Sequence, residues 1–417
     1  MSGQSSLGEP EFQLPHIASE ENDNFEFFAG DAVESPTLRL TPFMPETVGE
    51  WHIRSCKIEW LGVSETRKKD VLWFKLEAGF AETISPDDCD MFALAMLADA
   101  MKAKCALEIR GRVSEGLISN LLELQQVWSH WWDELEPVEI KASGTLRAHP
   151  PKEGSVCAFS GGLDAAFTLR QHNKILCGNR SQDIRYAMLV HGFDIAIADE
   201  DHFAQAVTQC RASLTDTGVT LVRAASNFRH VSKVKWDFAY GAAVASLLTA
   251  FKNKVGAGLI ASSHPYGLLR RSGASPVTDH FFGSDSFRVR HDGASHTRTQ
   301  KADVVGRWHA GRDRLRVCWE DGSDKNCGEC EKCIRTSLNF LACGHPIPAS
   351  LPQSLDLKRM RKITVYTRGR LNMWQELLEE SKARGIKAPW QNVARFVVLK
   401  SRLRRFLSGD RCTQKSA

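Results

Sequence analysis

Two groups of residues in this sequence could do chemistry, and the first is the turn Ser160-Gly161-Gly162. It follows the apolar run 156–159 and is followed by Asp164. Adjacent glycines let the backbone approach an anion and point its N–H groups at it, and a helix start adds partial positive charge. The serine hydroxyl would be one more donor, while Asp164 could hold Mg²⁺ against phosphates or cap the helix. The turn therefore predicts a phosphate site.

The second group is a set of four cysteines near the carboxyl end, with the spacing C-x8-C-x2-C-x2-C. Four thiolates can surround one ion tetrahedrally, and zinc bound in this way keeps no open coordination position. The spacing therefore predicts a structural zinc site, although an iron–sulfur cluster also accepts four thiolates. The remaining cysteines of the twelve are scattered singly, which is typical of ordinary core or surface thiols. The predicted ligands are Cys318, Cys327, Cys330 and Cys333.

An alternation of strands and helices must position both groups. Strand-like runs at 155–160, 186–193, 220–226 and 258–264 are separated by helical stretches near 163–173, 200–216 and 237–253. This order predicts an α/β fold with a doubly wound parallel sheet, in which ligands bind beyond the carboxyl ends of the strands. That rule points to the loops that begin at Ser160, His191, Ser226 and Ser263.

The pattern divides the chain into three predicted parts. Residues 1–150 have strand-like runs from Thr37 onward and helical patterns at 87–103 and 114–135, which indicates an accessory α/β domain without a chemical motif. Residues 151–350 would form the catalytic domain, and 351–417 a basic helical extension. Trp128, Trp131 and Trp132 could form a stacking surface, but packing against a neighbouring element is the favoured interpretation.

The bulk composition is that of an ordinary globular protein, with 42% hydrophobic and 25% charged residues. No apolar run is long enough for a membrane span, and the first residues do not resemble a signal peptide, so we expect a cytoplasmic protein without a membrane partner. A net charge of +4 over 417 residues leaves nucleic acid possible but not favoured as a partner.

The phosphate-binding pattern resembles the SGGxD loop of the PP-loop ATP pyrophosphatases, which have an adenine nucleotide alpha-hydrolase-like fold. The residues that match are Ser160, Gly161, Gly162 and Asp164. The resemblance implies that the loop holds the β- and γ-phosphates of ATP and that ATP is cut to AMP and pyrophosphate. Unlike a Walker loop, the turn has Leu163 where a lysine would stand. Ala165 replaces the Ser or Thr of many family members, so one hydroxyl near the phosphates is missing.

With the four cysteines included, residues 155–345 resemble the 7-cyano-7-deazaguanine synthase (QueC) family. The resemblance implies an ATP-dependent carbon–nitrogen ligase that uses ATP and Mg²⁺ and holds Zn²⁺ in a knuckle. Members adenylate 7-carboxy-7-deazaguanine, let ammonia attack to give an amide, and can dehydrate the amide to a nitrile. A carboxylate is a poor electrophile, and attachment of AMP turns one of its oxygens into a leaving group.

Other polar residues follow the predicted strands and are expected at the same site. We assign catalytic roles to Ser160, Asp164 and Lys301, because a lysine there could neutralise the departing pyrophosphate together with Arg298. For each of the others, a surface position or a helix cap is the alternative, and Arg335 could equally form a structural ion pair. The residues expected to line the ATP site are His191, Gly192, Asp194, Ser263, His264, Thr278, Asp279 and Ser284.

The added parts before 151 and after 350 resemble the enlarged QueC-like proteins of bacterial anti-phage defence operons (the Qat type). This resemblance implies that the activated deazaguanine could pass to an amine on a partner protein. Two alternatives stay open. One is a tRNA-modifying PP-loop enzyme that uses the basic tail for phosphate contacts. The other is a non-catalytic ATP-binding subunit of a defence complex.

Overall fold

The computed structural model describes residues 35–63, 70–80, 84–172, 174–318 and 326–407. The strands are β1 (Thr37–Pro42), β2 (Glu46–Val48), β3 (Trp51–Leu61), β4 (Asp70–Glu77), β5 (Ala106–Ser114), β6 (Ile140–Leu146), β7 (Ser155–Ala158), β8 (Ile184–His191), β9 (Thr220–Ser226), β10 (Ala257–Ala261) and β11 (Arg288–Asp292).

The α-helices come between these strands and then follow them. They are α1 (Asp90–Ala103), α2 (Glu115–Trp131), α3 (Leu163–Gln171), α4 (Lys174–Cys177), α5 (Glu200–Ser213), α6 (Phe228–Val231), α7 (Trp236–Leu248), α8 (Arg298–Gly306), α9 (His309–Arg312), α10 (Glu331–Ala342), α11 (Leu357–Lys362), α12 (Arg368–Ala383) and α13 (Pro389–Leu407). None of these described helices is both long and apolar enough to cross a membrane.

All of these strands belong to one mixed, mostly parallel sheet, in the order β11-β10-β7-β8-β9-β4-β3-β1-β5-β6, with β2 beside β3. Strands β7 to β11 pair only in parallel with one another. Counted from β7, their order is 3-2-1-4-5, so the winding direction reverses between β7 and β10. In open α/β sheets a ligand crevice forms at such a reversal, outside the carboxyl ends of the strands.

The parallel part of the sheet is covered by helices on both faces. Val156 and Cys157 are neighbours on β7, yet they belong to two separate hydrophobic cores because successive side chains of a strand point to opposite faces. One core contains side chains of α1, α2 and α7, and the other contains side chains of α3, α5, α8 and α10. The predicted α/β architecture with a largely parallel sheet is therefore confirmed, and residues 351–407 are helical as expected.

The first strands join the parallel strands through an antiparallel pair, β4 with β9, whose register aligns Phe74 with Ser226. Asn227 extends this pairing beyond the strand end. Its side-chain oxygen accepts from the Trp73 amide at 2.9 Å, and its side-chain nitrogen donates to the Val71 carbonyl at 2.7 Å. Residues on both sides of position 150 thus form a single continuous sheet.

Helix α1 begins three residues later than the sequence pattern predicts. Asp87 and Asp88 lie before it, and Asp88 is drawn into a buried ion cluster with Lys252, which follows α7. The Lys252 ammonium also contacts Asp90 at 2.7 Å, and Asp90 accepts from the Ser114 amide at 2.7 Å. Burial alone lowers the pKa of Lys252, but the two carboxylates raise it above its ordinary value. Tertiary ion pairing, not helix propensity, sets this helix start.

The three tryptophans near the end of α2 pack inward. Trp132 stacks on Phe238 of α7 with ring centroids 4.2 Å apart, and Trp128 lies 6.2 Å from Phe282. Trp128 is fully buried. These contacts fix α2 against α7, so the rings act as core residues here.

We expect Lys252→Met to lower the free energy of unfolding by about 3–5 kcal/mol, because two buried carboxylates lose their cation. Urea denaturation monitored by tryptophan fluorescence measures the change. The matched control is Lys141→Met, which removes an exposed ion pair with Glu139 and should cost about 0–1 kcal/mol. Equal effects of the two substitutions would contradict the role given to the buried cluster.

Candidate functional site

The turn Ser160-Gly161-Gly162 lies at the carboxyl end of β7 and leads directly into α3, whose N-cap is Gly162. Gly161 has φ +75°, and a Cβ there would lie 3.1 Å from the Cys210 sulfur, so both conformation and space favour glycine. The start of α3 presents amide N–H groups with the helix dipole behind them. Such a start favours an anion.

Arg316 braces this turn from a distant part of the chain. Its backbone amide donates to the Gly161 carbonyl at 2.9 Å, and its guanidinium Nη1 donates to the Ser160 carbonyl at 2.9 Å. Both carbonyls are thereby directed at the arginine, while the Gly162 amide donates to the Ser160 hydroxyl oxygen at 3.4 Å, a long bond that an anion could replace. Sequence reasoning missed Arg316, since only its place two residues before Cys318 sets it apart.

Asp164 stands in the first turn of α3, where it meets two cations of α8. Its carboxylate lies 2.8 Å from Arg298 Nη2 and 3.2 Å from Lys301 Nζ. Burial alone raises the pKa of Asp164, but Arg298 and Lys301 hold it below its ordinary value, so the group is ionised. Lys301 is buried and also donates to the Ser262 carbonyl after β10. The expected partners Asp164, Arg298 and Lys301 therefore lie together.

The loop after β10 forms the opposite side of this site. Ser263 and His264 border a small open cleft together with Arg270. Burial, aided by the positive charge of Arg270, lowers the pKa of His264 to about 4, so its ring is neutral near pH 7. Because β7 and β10 are adjacent, this cleft and the Ser160 turn share the crevice where the strand order reverses.

His191 is the last residue of β8 and Gly192 follows it, and both are engaged within the protein. His191 is buried, its Nε2 lies 2.8 Å from the Ala196 carbonyl, and its ring stacks on Phe203 at 4.4 Å. A Cβ on Gly192 would overlap the Ser226 carbonyl oxygen, and the Gly192 φ is +92°. These two residues shape the loop, whereas Asp194 beyond them is exposed.

Gly192→Ala should lower the free energy of unfolding by about 2–4 kcal/mol, because it combines a left-handed backbone with a steric overlap that no rotamer relieves. Chemical denaturation of the purified protein measures the change. The matched control is Gly218→Ala, where φ is +72° but no atom would lie within 4 Å of the alanine Cβ. A similar cost at both positions would assign the effect to the backbone conformation alone.

Asp279 is fully buried beside the cleft and does not reach open space. Its carboxylate accepts from the Ser275 amide at 2.7 Å and lies 2.8 Å from His291 Nδ1. Burial raises the pKa of Asp279 despite these partners. Thr278 is likewise buried, and Ser284 lies farther along in a turn with Phe287. Asp279 therefore positions Ser275 and His291, and these two residues line the cleft.

Helix α12 of the C-terminal region borders the same cleft. A Cβ on Gly369 would lie 2.8 Å from Arg270 Nη1 and 3.7 Å from His264 Cε1. Burial and the neighbouring Glu379 raise the pKa of Glu376 to about 7. A carboxyl group with this pKa can gain or lose a proton near neutrality. The sequence carried no signal for it, because Glu376 is one of several polar residues on an amphipathic helix.

The four predicted cysteines come together at the start of α10. Their sulfurs all lie within 4.8 Å of one another, and three of the separations are 3.4, 3.9 and 4.0 Å. A tetrahedral zinc site with Zn–S bonds of about 2.3 Å requires separations of about 3.8 Å, so the donor set fits this ion. Backbone amides of Glu329 and Cys330 donate to the Cys327 sulfur. The four residues that could hold the ion are Cys318, Cys327, Cys330 and Cys333.

Asn326 ties this cysteine cluster to the segment that braces the phosphate turn. Its side-chain oxygen accepts from the amides of Val317 and Cys318 at 2.7 and 3.0 Å, while its nitrogen donates to the carbonyls of Leu315 and Ser350. Arg316 lies between these anchored residues. The cluster therefore fixes the segment that holds the turn.

Helix α10 has two cationic residues near its start, Lys332 and Arg335. Burial and the nearby Arg298 lower the pKa of Lys332 to about 8, and Asp194 and Asp164 act against this shift. Arg335 pairs with Glu331 at 2.7 Å, which fits the structural alternative for that residue. Arg316 contacts the turn and Arg298 and Lys301 contact Asp164, and Lys332 adds positive charge nearby, a set suited to an anion with several negative charges.

Comparison with known proteins gave no match. No family model, curated protein or solved structure is similar to the chain.

Proposed function

We propose that the chain splits ATP to AMP and pyrophosphate while it adenylates a carboxylate and then passes the acyl group to an amine. The observation that carries the proposal is the glycine turn at the reversal of strand order, with Asp164 between Arg298 and Lys301. A backbone anion site, an ionised carboxylate for Mg²⁺ and two cations are the parts that phosphate transfer needs.

In the proposed first step, the substrate carboxylate oxygen attacks the α-phosphorus of ATP. The bond from that phosphorus to the bridging oxygen of the β-phosphate breaks, and pyrophosphate leaves with the bonding electrons. The amides of the Ser160 turn would hold the phosphates. Lys301 and Arg298, which pair with Asp164 in the structure, would contact the departing pyrophosphate instead. Asp164 would hold Mg²⁺, which supplies charge neutralisation on the phosphates.

In the second step, an amine attacks the acyl carbon, AMP leaves with the former carboxylate oxygen, and the amine proton passes to a base. By resemblance to the 7-cyano-7-deazaguanine synthases, the proposed substrate is 7-carboxy-7-deazaguanine. The proposed acceptor is an amine of a partner protein, as in the anti-phage type. The proposed resident metal is zinc at the four cysteines.

The test is pyrophosphate release from Mg-ATP by the purified protein, with and without 7-carboxy-7-deazaguanine, followed by mass spectrometry. The matched control is 7-cyano-7-deazaguanine, which lacks the carboxylate. Release that depends on the carboxylate supports the proposal, and the product mass distinguishes adenylate, amide and nitrile. ATP binding without release, even with a co-expressed partner, would instead favour a non-catalytic ATP-binding subunit. Release that requires tRNA would favour a tRNA-modifying enzyme.

A further inference from the structure

The exposed side of α13 carries an apolar stripe opposite the side that packs into the protein. The packed side contributes Trp390, Val393, Ala394, Val397 and Val398 to the C-terminal core. On the other side, the exposed fractions are 46% for Phe396, 67% for Leu399, 56% for Leu403 and 82% for Phe406. Four large apolar side chains on one stripe are unusual for a surface with nothing to cover it.

The spacing of this stripe identifies the shape that fits it. The positions 396, 399, 403 and 406 are separated by three, four and three residues, which is the a-d-a-d pattern of a heptad. A helix lying alongside needs this 3-4-3 pattern, because knobs at a and d enter holes between residues of the facing helix. Steps of three and four residues mark one side of any amphipathic helix, but a stripe confined to the a and d positions is the narrow seam of a helix pair. The stripe therefore favours a partner helix.

The flanks of the stripe give the charge of that helix. With Phe396 at position a, Arg395 and Arg402 occupy the g positions and Lys400 occupies the first e position. In helix pairs, residues at e and g face the partner's e and g residues across the apolar seam and select the partner. A second copy of α13 would bring arginine and lysine against arginine and lysine. A helix with glutamates at e and g would complement all three cations.

The surroundings of α13 add to this positive field. Residues 351–407 contain fourteen Lys and Arg against four Asp and Glu. Lys400 and Arg361 of α11 both approach the Phe396 ring, at 5.7 and 5.8 Å from its centroid, so cations border the stripe on the α11 side as well. Such a surface accelerates encounter with an acidic partner.

We propose that the Phe396–Leu399–Leu403–Phe406 face of α13 docks an acidic amphipathic helix of a partner protein, with apolar residues at its a and d positions and glutamates at e and g. The inference does not depend on the proposed reaction, since no residue of the ATP site lies on this face. It gives the C-terminal region a role in recognition.

The experiment measures binding of two fluorescein-labelled helical peptides to the full-length protein by anisotropy. Both peptides have three heptads with leucine at a and d; one has glutamate at all e and g positions, and the other has lysine there. We expect the glutamate peptide to bind at least about ten-fold more tightly than the lysine peptide. The double variant Arg395→Glu/Arg402→Glu should reverse this preference.

The double variant Leu399→Ala/Leu403→Ala should weaken binding of the glutamate peptide by at least about ten-fold. Leu122→Ala is the matched control, because it removes a comparably exposed leucine on α2. Equal binding of the two peptides, or no binding, would overturn the proposal. A dimer of the protein that the leucine variant dissociates would also overturn it. Binding to phosphatidylserine vesicles or to tRNA would do the same if the leucine variant abolishes it and the glutamate peptide does not compete with it.

Discussion

With zinc at the four cysteines, as proposed, a Cys330→Ser variant should lose most of this metal and unfold at a clearly lower temperature. Structural zinc contributes on the order of 10 kcal/mol to folding of the residues that hold it, and a serine oxygen replaces a thiolate poorly. The loss should concentrate in the segment around Arg316, because Asn326 and Cys318 anchor that segment on either side. Zinc per chain by elemental analysis and the melting temperature by calorimetry measure the effect.

The control for this substitution is Cys343→Ser, since Cys343 caps the other end of α10, outside the cluster, and its thiol donates to the Thr299 carbonyl. It should retain one zinc per chain. Hydrogen exchange adds a readout for the coupling: amides of Val317, Cys318 and Arg316 should lose protection only in Cys330→Ser. Full zinc content in Cys330→Ser, or iron in place of zinc in the parent protein, would contradict the prediction.

An Asp164→Asn variant should release pyrophosphate at least about 100-fold more slowly, which corresponds to about 2.7 kcal/mol in the barrier. The amide keeps the shape of the carboxylate but carries no charge, so it is a poor ligand for Mg²⁺. It also leaves Arg298 and Lys301 without their anion. Initial rates with Mg-ATP and 7-carboxy-7-deazaguanine measure the change.

The substitution also removes a buried ion pair, so folding must be followed alongside the rate. We expect the free energy of unfolding to fall by about 3–5 kcal/mol, and bound ATP should restore part of it if the phosphates contact Arg298 and Lys301. Asp313→Asn is the matched control, because it breaks the pair with Arg312 away from the turn. A folded Asp164→Asn protein with unchanged turnover would remove Asp164 from the mechanism.

Local patterns carried the sequence predictions that the structure bears out. The cysteine spacing predicted a four-sulfur cluster because three of its members lie within seven residues, and strands alternating with helices predicted the parallel strands. The Ser160 turn was visible for the same reason, since a strand, a glycine pair and a helix start are adjacent in the chain. Its assignment to the PP-loop fold and to ATP stays a prediction.

Long-range contacts explain what the sequence did not reveal. Arg316 contacts a turn more than 150 residues away, and no local pattern marks an arginine for that role. His191 has the right residue type and place for a ligand contact, yet a stacking partner and a carbonyl from its own loop engage it. The β4–β9 pair joins strands of opposite direction from separate parts of the chain, and periodicity gives no register between them.

This β4–β9 pair has a practical consequence for expressing parts of the chain. A fragment that starts near residue 151 would lose β4 and leave Ala224–Ser226 of β9 as an open edge, with its amide and carbonyl groups facing water. Such an edge can recruit a strand from another molecule. The fragment would also lose the α1 and α2 side chains that share a core with α7, so it is at risk of precipitating. A shortened version suitable for crystallisation should therefore keep β3 and β4, which close that side of the sheet.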